Sequence, residues 1–362
     1  MIIASLLSRP VRTLVSVLAV ALEVTMILVI VGLTTGITNE SGRRVVGTGA
    51  DIMLQGQGSS IMLALSTANM PIAIGDKVRS EVTGVKAVAP VLIQTNTQGG
   101  LDLVYGIDPP TFAEVGPFIW VKGGIFKSAD EIVVDDLYAK SKKLDIGTRM
   151  DLLNHTFTVS GIVENGRGAR LFLSLPAMQE MFGAGTKVST FFIKTNSTEA
   201  VPAVQKALEG MLPGYRVTNL AELMSQMTPD KIPGLEPFLK TVVVIAVCVG
   251  VLVIFLSMYT TITERTREIG ILRSLGGSKI YVVRLIFEES IFICLIGVVV
   301  GILASEAISA GIIKVFPTLI IMITNEWRLK AAGFALLSGV IGSFYPSLKA
   351  AKLDPIEALA YE

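Results

Sequence analysis

Histidine is almost missing from this chain: His155 is the only one in 362 residues. It lies in a polar turn, LLNHTFTVS, with no further His or Cys at ligand spacing, which argues against an imidazole-based metal site or catalytic triad. Cysteine is nearly as scarce. Cys248 and Cys294 both fall inside apolar runs, the usual setting of an unpaired thiol, and no disulfide is expected between them. Charged residues make up 17% of the chain, hydrophobic residues 51%, and the net charge is +1. A balance so close to neutral offers nucleic acid no basic surface. So apolar a chain is poorly suited to a soluble fold of this size. A phosphate loop, G-x-x-x-x-G-K-[ST], is missing as well. Gly276-Gly277-Ser278-Lys279 has the wrong order, and 183–187 the wrong spacing. The chain is therefore expected to be non-catalytic and to bind no cofactor or metal of its own.

What the chain does have is long apolar runs. Four are long enough for the roughly 20 residues that cross a bilayer: 13–33, 238–262, 285–313 and 329–345. The stretch VFPTLIIMI, 315–323, is too short and reads as part of the turn between the third and fourth spans. Arg9 and Arg12 precede the first run as in a signal peptide, but the run is longer than a signal core and no convincing cleavage site follows it. Basic residues sort the loops. Arg9 and Arg12 precede span one; Arg265, Arg267, Arg273, Lys279 and Arg284 lie between spans two and three; Lys349 and Lys352 follow span four. With four spans these segments share one side, the cytoplasmic side by the positive-inside rule. Both termini are then cytoplasmic, and 37–236 lies outside.

That outer segment, about 200 residues, is large enough for a folded domain with its own core. Span one is expected to continue into it as a helix before breaking at the glycines of the 34–50 stretch. VLIQTNTQGGLDLVYGI, 91–107, alternates on both sides of Gly99-Gly100, with Val91, Ile93 and Thr95 sharing a face and Leu101, Leu103 and Tyr105 doing so on the partner strand. RMDLLNHTFTVSGIV reads as a second hairpin, EIVVDD and STFFIKT as strands, LYAKSKKL and STEAVPAVQKALEGML as helices. The fold class is thus an α-helical membrane protein with four transmembrane helices and a large mixed α+β extracytoplasmic domain between the first and second. Pro229, Pro233, Gly234 and Pro237 form a stiff connector back to span two. Asp135-Asp136 and Glu131 read as solvated acids, and GRGAR, 166–170, as a solvated basic loop.

TERTREIGILRSLGGSK, 263–279, reads as a short helix. Thr263 and Thr266 suit a helix start, and Glu264 and Glu268 suit its first turns. Ile269, Leu272 and Leu275 recur as an apolar ridge with Gly270 and Ile271 beside it. Arg265, Arg267 and Arg273 flank it, and Gly276-Gly277 ends it, with Ser278 able to begin the next helix. A helix of about three turns is not stable alone in water. It needs either anionic headgroups or a groove in a protein, and its glutamates gain nothing at an anionic surface.

ERTREIGILRSLGGSK followed by an apolar span resembles the cytoplasmic loop of MacB/FtsX-type ABC transporter permeases. The end, YPSLKAAKLDPIEALAYE, resembles theirs too, as does the layout of one span, a large outer domain and three further spans. The resemblance is specific at 264–290 and 345–362 and weak through the outer domain. It implies a permease subunit: 1–36 with span one, 37–236 as a MacB-like periplasmic core domain, and 237–362 as an FtsX-like permease domain. The helix 264–276 would be a coupling helix seated on an ABC ATPase, so that Glu264, Arg265, Arg267, Glu268, Ile269, Gly270, Ile271, Leu272, Arg273, Leu275 and Gly276 would meet that partner. ATP and magnesium would sit in the ATPase, expected as a separate polypeptide. A second permease copy, the same or related, and a periplasmic adaptor protein are the other partners the resemblance implies, in the inner membrane of a bacterium. The work would be mechanical, exporting or extracting a drug, peptide, glycolipid or lipoprotein. Two alternatives stay open: a mechanical regulator of an extracytoplasmic cell-wall hydrolase, and a membrane-anchored ligand sensor. Beyond position 352, Asp354, Pro355 and Glu357 have the pattern of a capped helix start.

Carboxylates inside spans are costly. Glu23 lies mid-span one and Glu306 late in span three, with no basic residue expected at matching depth; Glu23 is expected to face the bundle or a dimer partner. Glu288 and Glu289 are expected to be solvated near the headgroups. Gly297 and Gly301 form a G-x-x-x-G pattern in span three.

Overall fold

The structure is a computed structural model that describes residues 10–56, 69–96, 102–226, 232 and 234–354. Arg9, Gly99-Gly100, Leu101, Pro229, Pro233, Pro355 and Glu357 lie outside the described residues. The chain divides into two compact units: Met1–Gly36 with Pro233–Lys314 and Leu319–Glu362, and Ile37–Ile232 with Val315–Thr318.

The first unit is helical. Its long helices are α1 Pro10–Val46, α8 Leu235–Glu264, α10 Lys279–Val315 and α11 Asn325–Ala351, with the short α9 Thr266–Ser274 between α8 and α10. All four long helices are long and apolar enough to cross a membrane. Each outruns the hydropathy-defined span within it. A 37-residue helix such as α1 or α10 is about 55 Å long, against about 30 Å of hydrocarbon. Caps, not hydropathy, set the ends. Gly47 and the left-handed Gly49 follow α1, Gly234 (φ 85°) precedes α8, and the Thr324 side chain accepts from Trp327 N at the start of α11. Residues 316–324 carry no regular structure and do not cross on their own.

The helices meet through small residues and hydroxyls. A Cβ on Gly297 would lie 2.6 Å from Val20, and one on Gly301 2.8 Å from the Ala21 carbonyl oxygen, so the G-x-x-x-G of α10 is the face that abuts α1. Thr25 Oγ1 donates across to Gly301 O at 3.1 Å, Ser290 Oγ to Gly339 O at 3.0 Å, and Ser16 and Ser257 share a hydrogen bond. Close backbone approach and side-chain hydrogen bonds are the means of helix association in lipid, where apolar contact alone gives little preference. Gly32 and Gly36 of α1 form a second close approach: Met322 N donates to Gly32 O at 2.9 Å, and a Cβ on Gly36 would lie 1.8 Å from Ile320 O.

The second unit is a three-layer α/β fold on one 10-stranded sheet. The strands that place its core are β1 Ile52–Gln55, β3 Val85–Asn96, β4 Asp102–Ile107, β6 Glu131–Asp135, β8 His155–Val163, β9 Leu171–Ser174 and β11 Thr190–Thr195. Period-2 alternation divides their side chains between two cores. Leu54, Leu92, Ile132, Val134, Leu171, Leu173, Phe191 and Ile193 face one side, under helices Ala73–Glu81, Asp136–Lys142, Leu175–Met181 and Val201–Met211. Met53, Val91, Val133, Phe172 and Phe192 face the other, with Phe112, Val115, Leu220 and Leu223. The first hairpin pairs as its pattern requires, Ile93 opposite Tyr105 and Thr95 opposite Leu103. The second turns at Leu153 and Asn154, both with positive φ, and sets Leu152 against His155. His155 is half exposed and bonds Asp130 at 2.8 Å.

Two expectations in this unit are corrected. Asp135 is 1% exposed, not solvated. It caps the following helix by accepting from Tyr138 N and pairs with Arg170 at 3.3 Å; burial pushes its pKa up to about 6 although Arg170 opposes this. GRGAR is no solvated loop either. Arg167 Nη1 donates to Gly47 O at 3.0 Å, holding the carbonyl end of α1, and the buried Arg170 donates to Thr318 O at 3.0 Å. Arginine forks reach backbone carbonyls that would otherwise lack partners.

Candidate coupling site

Helix α8 stops at Glu264. The chain breaks at Arg265 (φ −110°, ψ 17°), whose N–H still reaches Thr261 O and Ile262 O, and α9 begins at Thr266. Thr263 and Thr266 do not start the helix as caps. Their hydroxyls bond back to carbonyls of the preceding turn, Thr263 to Tyr259 and Thr260, Thr266 to Ile262 and Thr263. Such back-bonding favours a bend, and here it coincides with the break. The far end behaves as the sequence implies. Gly276 takes φ 96°, Gly277 N bonds Leu272 O at 3.0 Å, and Ser278 Oγ accepts from Tyr281 N to open α10.

The short α9 presents two unlike faces, and the expected ridge is split: Ile269 and Leu272 turn in, and Leu275 faces outward. Ile269 and Leu272 pack against the helical core and Gly270 is buried. Arg273 also points inward. Its Nη1 donates to Ala351 O at 3.0 Å and to Leu353 O, capping the carbonyl end of α11. The outward face carries Arg267, Glu268, Ile271, Ser274 and Leu275, all exposed. Leu275 is 81% exposed and Ile271 45%. At 100° per residue, positions 267, 271, 274 and 275 fall within one third of the helix surface, while 269, 272 and 273 lie opposite. Apolar side chains on both sides of so short a helix mean that one set holds the bundle and the other is left without a cover among the described residues.

Charge surrounds the break. Arg12 of α1 pairs with Glu264 at 3.2 Å, and Arg265 with Glu268 at 2.7 Å. Glu289 of α10 lies among them, buried at 4% exposure, not solvated as expected. Glu288 is partly exposed and pairs with Arg284. Of the two intramembrane candidates, Glu306 is corrected: its side chain is half exposed and pairs with Arg328 of α11 at 2.9 Å, a partner that hydropathy hides because Arg328 precedes the apolar run. Glu23 is 4% exposed inside the bundle. Its Oε1 accepts from Ser338 Oγ at 2.8 Å, and its Oε2, which has no partner among the described residues, lies where a Cβ on Gly250 would come within 2.0 Å. Both cysteines are free, and no cluster of metal-ligating side chains occurs among the described residues.

Comparison with known proteins places these elements. The family profile described as the MacB-like periplasmic core domain matches residues 13–211, and that of the FtsX-like permease C-terminal matches 240–355. The chain is 23% identical over 399 residues to the macrolide export ATP-binding/permease protein MacB of Mannheimia succiniciproducens, covering 100% of this chain and 60% of that protein. It is 35% identical over 175 residues to the uncharacterized ABC transporter permease YknZ of Bacillus subtilis, covering 47% of this chain and 42% of that one. Among solved structures it is similar to the periplasmic region of MacB from Actinobacillus actinomycetemcomitans, with 16% identity, a TM-score of 0.39, and coverage of 52% of this chain and 97% of that one. Four membrane helices flank an α/β domain of the MacB periplasmic type between the first and second, and the chain belongs to the MacB/FtsX type of ABC transporter permease.

Proposed function

We propose that this chain is the permease subunit of an ABC export or extraction system, and that α9 receives the mechanical stroke of a partner ATPase. The observation that carries this is the two-sided construction of α9. Its inward face is tied to three long helices, so a displacement of α9 is felt by the bundle. Its outward face offers Ile271 and Leu275 beside Arg267 and Glu268, which suits a protein groove with matching charge better than a sheet of anionic headgroups. ATP and magnesium are held by the ATPase. The bundle relays closure of that partner to the α/β unit outside the membrane, in the inner membrane of a bacterium with both termini cytoplasmic. A second permease copy, identical or related, completes the assembly, and a periplasmic adaptor extends it. The substrate is a drug, peptide, glycolipid or lipoprotein, in keeping with the macrolide export named for one relative.

The test is co-purification with the candidate ABC ATPase. Ile271→Asp/Leu275→Asp places two charges in the docking face and leaves the bundle contacts intact. Loss of the ATPase, with the permease still monodisperse in detergent, supports the reading. Full retention overturns it. The inward pair Ile269→Asp/Leu272→Asp serves as contrast, because these partly buried side chains pack against the helical core and charging them damages the permease itself.

A further inference from the structure

Glu289 has no place on the docking face, and burying a carboxylate is costly unless it is well paired. Its two oxygens face different helices. Oε2 accepts from Arg265 Nη1 at 3.5 Å, and Oε1 lies 3.9 Å from Arg12 Nη2. Arg265 is the residue at the break between α8 and α9, and its Nε is committed to Glu268 of α9 at 2.7 Å. Arg12 belongs to α1 and also binds Glu264, the last residue of α8. One buried carboxylate on α10 thus gathers α1, the end of α8 and the first turn of α9. Packing on this side is incomplete. A cavity of ≈ 100 Å³ lies beside the same residues, lined by Ile262, Arg265, Glu268, Ile269, Leu272 and Glu289 among others. That is several times the space one water molecule needs. Where apolar contact leaves such a gap, directional ion pairs decide where a short helix rests.

We propose that Glu289 is the positioning residue of the coupling helix: through Arg265 it fixes the angle of α9 on the bundle, with Arg12 tying that setting to α1. Its consequence for transport rests on the proposed function, but the geometry can be tested in the permease alone, so the two readings fail separately.

The test is pulsed electron–electron resonance on the full chain in detergent, with Cys248→Ala to remove the exposed thiol and the buried Cys294 retained. One label pair, Leu275→Cys and Leu329→Cys, reports α9 against α11; both sites are exposed. A control pair, Phe238→Cys and Leu348→Cys, reports α8 against α11 without α9. Glu289→Gln is expected to broaden and shift the first distance distribution and leave the second unchanged. If both pairs stay as in the parent, α9 is held by packing and the proposal is overturned. If both broaden, Glu289 serves the bundle at large, which also overturns it. Should Glu289→Gln not yield folded protein, Arg265→Gln removes the same tie from its partly exposed end and is read by the same outcomes.

Discussion

Asp51 precedes β1, and its carboxylate accepts three hydrogen bonds of 2.8 Å, from Lys194 Nζ, Thr195 N and Thr195 Oγ1. Burial alone would raise its pKa, but the bonds from Lys194 and Thr195 outweigh burial and hold it below the usual carboxylate range. Asp51→Asn should therefore lower the stability of the α/β unit by about 1–3 kcal/mol at neutral pH, the range for hydrogen bonds to a charged group. A depressed folded pKa contributes stability that is present above the ordinary carboxylate pKa of about 4 and is lost as pH falls through the folded value. The gap between wild type and variant should then close on acidification. Asp135 acts with the opposite sign, since its raised pKa makes its share decline as pH rises toward about 6, but it is common to both chains and cancels in the difference. Urea unfolding of the full chain in detergent, followed through Trp120 in a Trp327→Phe background, measures the gap. Equal midpoints at pH 7, or a gap that widens in acid, would contradict the assignment.

At the scale of elements, close approach decides which glycines matter. Gly36→Ala would drive a methyl into the Ile320 carbonyl, and Gly301→Ala into Ala21 O and Val24. Among the described residues, apart from its own helix, nothing lies within 4 Å of a Cβ on Gly311 or Gly333. The first two substitutions should each cost about 1–3 kcal/mol through overpacking. The last two should be neutral, or stabilising by up to about 1 kcal/mol through helix propensity. Detergent melting curves of the four single variants give the ranking, and a Gly333→Ala chain as damaged as Gly36→Ala would show that the contacts of α11 are misassigned. The same contrast explains what the sequence conveys. Apolar length reveals the spans, and alternation reveals the hairpins, because both are properties of one segment. The pairing of Gly32 and Gly36 with 320–323 is hidden, since the partner has no periodic structure to advertise it. The sidedness of α9 is hidden for another reason. Ile269, Ile271, Leu272 and Leu275 run round most of the helix, and only the neighbours they meet separate the pair that anchors from the pair that is displayed. Glu289 and Arg170 escape notice because a buried charge looks like a solvated one until its partners arrive from distant parts of the chain.

For the whole molecule the decisive property is sidedness across the membrane. The proposed orientation has α9 and the segment after α11 on one side and the segment between the first and second spans on the other. The basic residues of 265–284 and Lys349 and Lys352 are what support the proposal that the first is cytoplasmic. Arginines at helix ends reinforce the reading: Arg273 caps α11 on one side, and Arg167 holds the end of α1 on the other. The Arg273 contact does not survive if one of the two spans between its partners fails to insert, because Arg273 and Ala351 then lie on opposite sides. In a Cys248→Ala background, a cysteine replacing Leu275 should resist a membrane-impermeant maleimide in intact spheroplasts and react in inverted vesicles. A cysteine replacing Ile146, exposed on the α/β unit, should do the reverse. Reaction of both from one side would mean an even number of crossings between them, where α8 alone supplies one. It would detach α9 from the compartment of a cytoplasmic ATPase and, with it, the proposed direction of force.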